Sequence, residues 1–233
     1  MLLTLEVPGT FNTRIAGADA DGRPWLLRSA ALDALTPEGL DTLAGLGLTR
    51  IVDLREPAER GDEAPRHGID VVSVPLYQLP GGPPTVGAIG SVYRFLTRER
   101  AGALARAVEA VANAEGPALV HCAFGKDRTG LIVALTLLAS GAPKDAVLDD
   151  YAESAAQMPA ERRTEVLAEL AREGVDEQTA RASLELHLAS PREQLAEVIG
   201  ELEEQHGGIG AYLRASGLTA GALAHLHAKA GRR

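Results

Sequence analysis

Residues 121 to 130 read His-Cys-Ala-Phe-Gly-Lys-Asp-Arg-Thr-Gly, so the chain's single cysteine, Cys122, and an arginine, Arg128, are separated by five residues. The apolar run Ala118-Leu119-Val120-His121 before it has strand character, and a long apolar stretch from Leu131 has helix character. A tight loop between a strand and a helix N-terminus turns successive amide N–H groups toward one point at the positive end of the helix dipole. That is a cradle for a tetrahedral oxyanion. Arg128 adds a planar fork matched to two phosphate oxygens. Cys122, first in the loop, places a sulfur under the same point, where the amides, the dipole and Arg128 favour its thiolate. A nucleophile aligned opposite a leaving group can take the phosphoryl group onto sulfur and then lose it to water, with no step that calls for a metal or organic cofactor.

The neighbours fit that chemistry. Thr129 can hydrogen-bond the sulfur when it departs in the second step, Gly125 and Gly130 allow the tight backbone path, and Ala123 and Phe124 border the cradle. Lys126 reads as positive charge at the pocket mouth, or alternatively as a solvated loop lysine, and Phe124 as a substrate neighbour or a loop anchor. His121 is expected to order the loop by hydrogen bonding. Expelling an alkoxide or phenolate needs a proton donor. From Val71 to Arg98 there is no Asp or Glu, so Asp127 inside the loop is the first candidate, the alternative being that it only holds loop amides or Lys126. A nucleotide-binding P-loop would need Ser or Thr where Asp127 stands and glycine where Val120 stands, which excludes it.

HCAFGKDRTG resembles the signature loop of the cysteine-dependent protein tyrosine phosphatases, and its Gly-Lys-Asp-Arg form is similar to the bacterial and mycobacterial secreted-type tyrosine phosphatases related to lipid phosphatases. Leu27-Arg28-Ser29, Ile51-Val52-Asp53-Leu54-Arg55 and Tyr212-Leu213 followed by Gly217-Leu218 fall in the same order. The resemblance implies activity on phosphotyrosine, phosphoserine or phosphothreonine, or phosphoinositides, with Asp127 as proton donor and a helical cover over the site. Members of that group usually carry an Asn-Phe-Arg-Asp-like stretch near the start, where this chain has Phe11-Asn12-Thr13-Arg14-Ile15-Ala16-Gly17.

The loop needs a frame. Short strands are expected within residues 1–30, at Pro24 to Arg28 among them, then at 49–54, 69–76 and 117–121. Helices are expected from the Thr36-Pro37 cap to Gly47, over 91–114, and from Leu131. Alternating strands and helices favour an α/β domain with a mostly parallel central sheet flanked by helices on both faces. Polar residues 55–60 open a helical or looped segment, and the proline-rich 78–90 is a loop. Past Tyr151 the chain is helical, with helices at 161–173, 176–189 and 191–206, the last opened by a Ser190-Pro191-Arg192-Glu193 capping box, then short helices near Tyr212 and from Thr219. The whole chain reads as one domain, residues 1–233, in which 152–205 is a helical insertion, part of it folded over the pocket as a lid.

With 45% hydrophobic and 24% charged residues, the 233-residue chain has the composition of a globular domain. A net charge of −9 argues against a nucleic-acid partner, so an anionic ligand must be held locally. No basic leader with a long apolar run opens the chain and no apolar stretch reaches membrane-spanning length, which makes the cytoplasm the expected location. Asp53 and Arg55 read as a structural ion pair, and His225 and His227 as surface residues and not metal ligands. The oligomeric state is not written in the sequence. These readings converge on a metal-independent phosphomonoester hydrolase acting on a phosphorylated protein, lipid or small molecule. The alternatives are a phosphatase of a phosphorylated metabolite, a non-catalytic phosphate-binding module, and a sulfurtransferase.

Overall fold

The computed structural model describes residues 3–61, 68–79 and 82–231. Six strands, β1 (Leu3–Thr4), β2 (Arg14–Ala18), β3 (Pro24–Ser29), β4 (Arg50–Asp53), β5 (Asp70–Ser73) and β6 (Ala118–His121), form one sheet in the order β1-β2-β3-β6-β4-β5. β3, β6, β4 and β5 run parallel, and β1 and β2 add an antiparallel edge. The fold is α/β with helices on both faces, unevenly shared. Leu27, Ile51 and Leu119 point to a small core shared with Leu43 of helix α1 (Pro37–Gly45). Their neighbours Leu26, Val52 and Val120 point the other way, into a larger core. Alternation along each strand sends successive side chains to opposite faces, and because both faces are covered the strands read as continuous apolar runs.

The larger core is closed by α2 (Ile89–Glu99), α3 (Ala101–Ala112), α4 (Asp127–Ala139), α5 (Lys144–Glu153), α8 (Arg192–His206), α9 (Ile209–Ala215) and α10 (Ala220–Lys229). α6 (Glu161–Glu173) and α7 (Glu177–Leu188) contribute little to it: Leu186 of α7 joins this core, whereas Val166 and Leu170 of α6 are buried outside it. Of the 152–205 insertion, then, 192–205 belongs to the core: Leu195, Val198, Ile199 and Leu202 are buried there.

Several local expectations change. The helix foreseen over 91–114 is two, broken at Arg100 (φ −126°, ψ 18°). Arg100 Nε donates to Tyr77 O at 2.7 Å and its guanidinium lies 4.9 Å from the Phe95 ring centroid; these tertiary contacts override a strong run of helix formers. The strand foreseen to Leu76 stops at Ser73, two residues before Pro75, which has no N–H for a ladder. The capping box at Ser190 does not form, and Pro191 occupies the cap position without a side-chain bond. α4 begins at Asp127, four residues earlier than the apolar stretch suggested, so Asp127 to Gly130 make the first helical turn. Part of the foreseen 78–90 loop, residues 80 and 81, lies outside the described residues.

Candidate active site

β6 is central in the sheet, and the segment leaving its C-terminal end emerges where α/β sheets gather ligands. The carbonyls of that segment are fastened outward one after another. Ala123 O accepts from Ala31 N at 3.0 Å, and Asn12 Nδ2 donates to Phe124 O and Gly125 O, both at 3.0 Å. Gly125 O also accepts from Arg28 Nη2 at 2.7 Å, and Lys126 O from Gly130 N at 2.8 Å. A planar trans peptide points its N–H opposite its carbonyl. Anchoring these four carbonyls therefore turns the amides of residues 124–127 to the other side, into the cradle. Gly125 has φ +65°, and a Cβ there would collide with the Ser29 carbonyl oxygen, so the turn requires glycine. A Cβ on Gly130 would come within 2.7 Å of the Tyr151 ring.

The anchors are themselves held. Arg14 Nε and Arg28 Nη1 both donate to the Asp150 carboxylate, and Arg14 Nη2 and Arg28 Nη2 each reach Ser154 Oγ at 2.9 Å. Arg14 also donates to Asn12 Oδ1. The two arginine side chains are fully buried. Burial alone would raise the Asp150 carboxyl, but Arg28 and Arg14 overcome it and hold it below the usual carboxylate range. Burial, with Arg28 adding to it, lowers Arg14 to about 10 against the pull of Asp150.

Cys122 is buried at the floor of a cavity of about 360 Å³, bordered also by Ala123, Phe124, Asp127 and Arg128. The Arg128 guanidinium is engaged by Glu59, from a single 3-10 turn (Pro57–Glu59), through a bidentate pair at 2.5 and 2.6 Å, and lies 5.2 Å from the Tyr77 ring centroid. Burial disfavours its charge, but Glu59 and the neighbouring Cys122 outweigh that and strengthen it. Thr129 Oγ1 is buried and has no hydrogen-bond partner among the described residues, so a hydroxyl is left free one residue past Arg128.

Asp127 Oδ1 accepts from Lys126 Nζ at 2.6 Å and from Tyr93 Oη at 3.0 Å, and Tyr93 Oη is 2.6 Å from Tyr151 Oη. Burial raises both phenols, which keeps them neutral donors. Lys126 corrects the expectation of a cation at the pocket mouth: it is fully buried, does not border the cavity, and donates to Leu186 O at 2.9 Å and Ala189 O at 2.7 Å as well as to Asp127. The cause is the carbonyl-rich C-terminal end of α7, whose unpaired last-turn oxygens form a better seat for an ammonium than a shallow surface does.

α6 and α7 roof the cavity with Arg162, Glu169, Glu173, Leu186 and His187. The Arg162 guanidinium sits 4.6 Å from the Phe124 ring centroid, and Phe124 packs on Phe11 at 6.4 Å, so Phe124 is both cavity wall and anchor. α7 is tied to the loop before α2 by His187 Nε2 with Thr85 O at 2.7 Å and by Gly87 N donating to Ser183 Oγ at 3.3 Å.

His121, expected from the sequence to order the loop by hydrogen bonding and to sit among the residues around the substrate, lies in β6, does not border the cavity, and meets its own chain at Cys122 O, 3.4 Å from Nδ1. Burial pushes it down to about 4 despite Asp53 Oδ2 lying 3.8 Å from Nε2, so at neutral pH this is a contact of a neutral ring with a carboxylate and not an ion pair. Asp53 pairs with Arg55 at 3.0 Å, and Arg55 with Asp33, a structural ion-pair cluster. His225 and His227 are exposed on α10. Sequence reasoning missed Asn12, Arg14, Glu59, Tyr93, Asp150 and Ser154. The one available signal was a charge inside an apolar strand, Arg28 after Leu26-Leu27, since a buried arginine must have a partner. Among the described residues no group of three or more His, Cys, Asp or Glu side chains could hold a metal ion, and no helix is long and apolar enough to cross a membrane.

Comparison with known proteins matches residues 5–230 to the tyrosine phosphatase family. The chain is 33% identical to the triple specificity protein phosphatase PtpB of Mycobacterium tuberculosis, over 92% of this chain and 94% of that protein. It is 26% identical to a tyrosine-protein phosphatase of Nostoc commune, over 88% of this chain and 74% of the other. Among solved structures, Pseudomonas aeruginosa TpbA aligns over 78% of this chain and 95% of its own with 19% identity and a TM-score of 0.44. With nearly its whole length matched, the chain belongs to the tyrosine phosphatase family and is a phosphomonoester hydrolase.

Proposed function

We propose that Cys122 is the nucleophile, Arg128 with the amides of residues 124–127 the stabiliser of the transferring phosphoryl group, and Asp127 the proton donor and later acceptor. In the first step the Cys122 sulfur forms a bond to phosphorus as the ester P–O bond breaks, and the leaving oxygen takes a proton from Asp127. In the second, Asp127 accepts a proton from water as its oxygen bonds to phosphorus, and the S–P bond breaks with its electron pair returning to sulfur. Thr129 Oγ1 serves the departing sulfur. The stabilisation needed falls on the charge that develops on the phosphoryl oxygens, where pre-aimed donors in a sheltered site act most strongly.

The observation that carries this reading is the set of outward-anchored carbonyls from Ala123 to Lys126 beneath a cavity that holds both Cys122 and Arg128. The substrate class is phosphotyrosine in protein, with phosphoserine or phosphothreonine and phosphoinositides as further substrates; the similarity to a phosphatase called triple specificity supports that breadth. Asp127 as donor is supported by its place on the cavity wall. Because α6 and α7 cover the cavity, residues 161–189 act as a lid that must lift for a protein substrate to enter. Phosphate release in EDTA from phosphotyrosine and phosphoserine peptides, phosphoinositides, and sugar and nucleotide phosphates tests the proposal. Release from phosphotyrosine that vanishes in Cys122→Ser is the expected result; release confined to a metabolite phosphate would transfer the assignment to that substrate.

A further inference from the structure

Lys126 is the one basic residue of the catalytic loop that does not face the cavity, and its position is over-determined. An ammonium has three N–H donors, and here each has an acceptor: Asp127 Oδ1 at 2.6 Å, Ala189 O at 2.7 Å and Leu186 O at 2.9 Å. Its side chain is 1% exposed, so a missing partner could not be replaced by water without movement. Two of the three acceptors come from the end of α7, where the last carbonyls have no intrahelical partner and the helix dipole is negative. The third is the carboxylate assigned to proton transfer, which also holds Tyr93 Oη at 3.0 Å. A single buried charge thus joins the roof of the site to its acid.

Resting on the catalytic reading above, we propose that Lys126 is a positioning residue with two linked tasks: it is the catch that seats residues 161–189 over the cavity, and it orients Asp127 toward the leaving oxygen while that segment is seated. Two other attachments of α7 differ in kind. His187 to Thr85 O and Ser183 Oγ to Gly87 N tie α7 to the neighbouring loop and touch neither Asp127 nor Lys126. Loosening the segment through those bonds exposes Cys122 but leaves the acid oriented; loosening it at Lys126 does both.

The test compares Lys126→Gln with Ser183→Ala and with wild type in the full-length protein, after thermal melting has shown each to be folded. Cys122 alkylation by iodoacetamide reads the cover, and hydrolysis of a series of aryl and alkyl phosphates of falling leaving-group acidity reads the proton donor. Lys126→Gln is expected to speed alkylation by about tenfold or more, the change in open population when a buried charged hydrogen bond is lost. It is also expected to lower kcat progressively more as the leaving group worsens, with little loss for p-nitrophenyl phosphate. Ser183→Ala is expected to speed alkylation modestly with no leaving-group trend. Equal alkylation in Lys126→Gln and wild type, or a loss in kcat that is uniform across the series, overturns the proposal. Either result leaves the assignment of Cys122 standing, because that rests on loss of all release in Cys122→Ser. Should Lys126→Gln not fold, hydrogen exchange in the wild type decides: the amides of α7 and the catalytic loop are expected to open together, and independent opening overturns the linkage.

Discussion

Asp150→Asn removes one negative charge from beneath the catalytic loop while preserving shape. In the native protein the Asp150 carboxylate faces two guanidiniums, Arg14 and Arg28, each with a fully buried side chain, and is itself 3% exposed. Removing one member of a buried ionic group strands the rest, which costs about 3–5 kcal/mol. Some support survives the substitution: Ser154 Oγ still accepts from both arginines at 2.9 Å and the Asp150 carbonyl from Arg14 at 2.6 Å. The expected loss is therefore about 3 kcal/mol, which at a urea dependence of roughly 2–3 kcal/mol per molar shifts the unfolding midpoint down by about 1 M or more. Arg28 also holds Gly125 O at 2.7 Å, so kcat should fall at denaturant-free conditions where the protein is still folded. The sign of the pH dependence is fixed by the arginines. They keep the folded carboxyl below its ordinary value of 3.8, so its contribution is full above that pH and fades as pH falls through the folded value. The gap between wild type and Asp150→Asn should accordingly narrow in acid. A midpoint and a kcat both unchanged at pH 7, within the roughly 0.5 kcal/mol typical of surface substitutions, would refute the role of Asp150 in holding Arg14 and Arg28 beneath the loop.

Three further outcomes are expected. His121 is pushed down from 6.5 to about 4, so between those values the unfolded chain binds a proton that the native one refuses; stability rises with pH across that window by roughly 3 kcal/mol, and urea unfolding of His121→Gln at pH 5 and pH 7 should show a flatter dependence than wild type. Gly125→Ala places a methyl against the Ser29 carbonyl at φ +65°, and should abolish phosphate release while the far-ultraviolet dichroism stays native. Tyr93→Phe removes the phenol that donates to Asp127 Oδ1 at 3.0 Å and should reduce kcat by about tenfold for alkyl phosphates and less for p-nitrophenyl phosphate, read in steady-state assays.

What the sequence conveyed and what it hid divide along the distance between partners. The strand, loop and helix around Cys122 are contiguous, and so are the Thr36 cap with Pro37 and the valine- and leucine-rich strands; local periodicity and capping suffice for them. Asp127 could be singled out because no other acid lies within 71–98. Arg28, Asn12 and Asp150 act on the loop from about a hundred residues away in sequence or more, or through an intermediary, and nothing local marks them. The unusual stretch 11–17 turns out to supply Asn12 and Arg14, so its departure from relatives coincides with the loop's support. The seat of Lys126 is hidden because the sequence shows a charge and not what packs over it: the last carbonyls of α7 become its seat only when 161–189 folds across the site. The break at Arg100 has the same origin, since a tertiary bond to Tyr77 O competes with helical propensity.

The most direct test is to mix the protein with a phosphotyrosine peptide, quench in acid within the first turnovers, and map phosphoryl groups by mass spectrometry. One phosphoryl group on the peptide that contains Cys122, absent from Cys122→Ser together with all phosphate release, is the result this account expects. Phosphate release that persists in Cys122→Ser, or a phosphoryl group carried by any other residue, would contradict it.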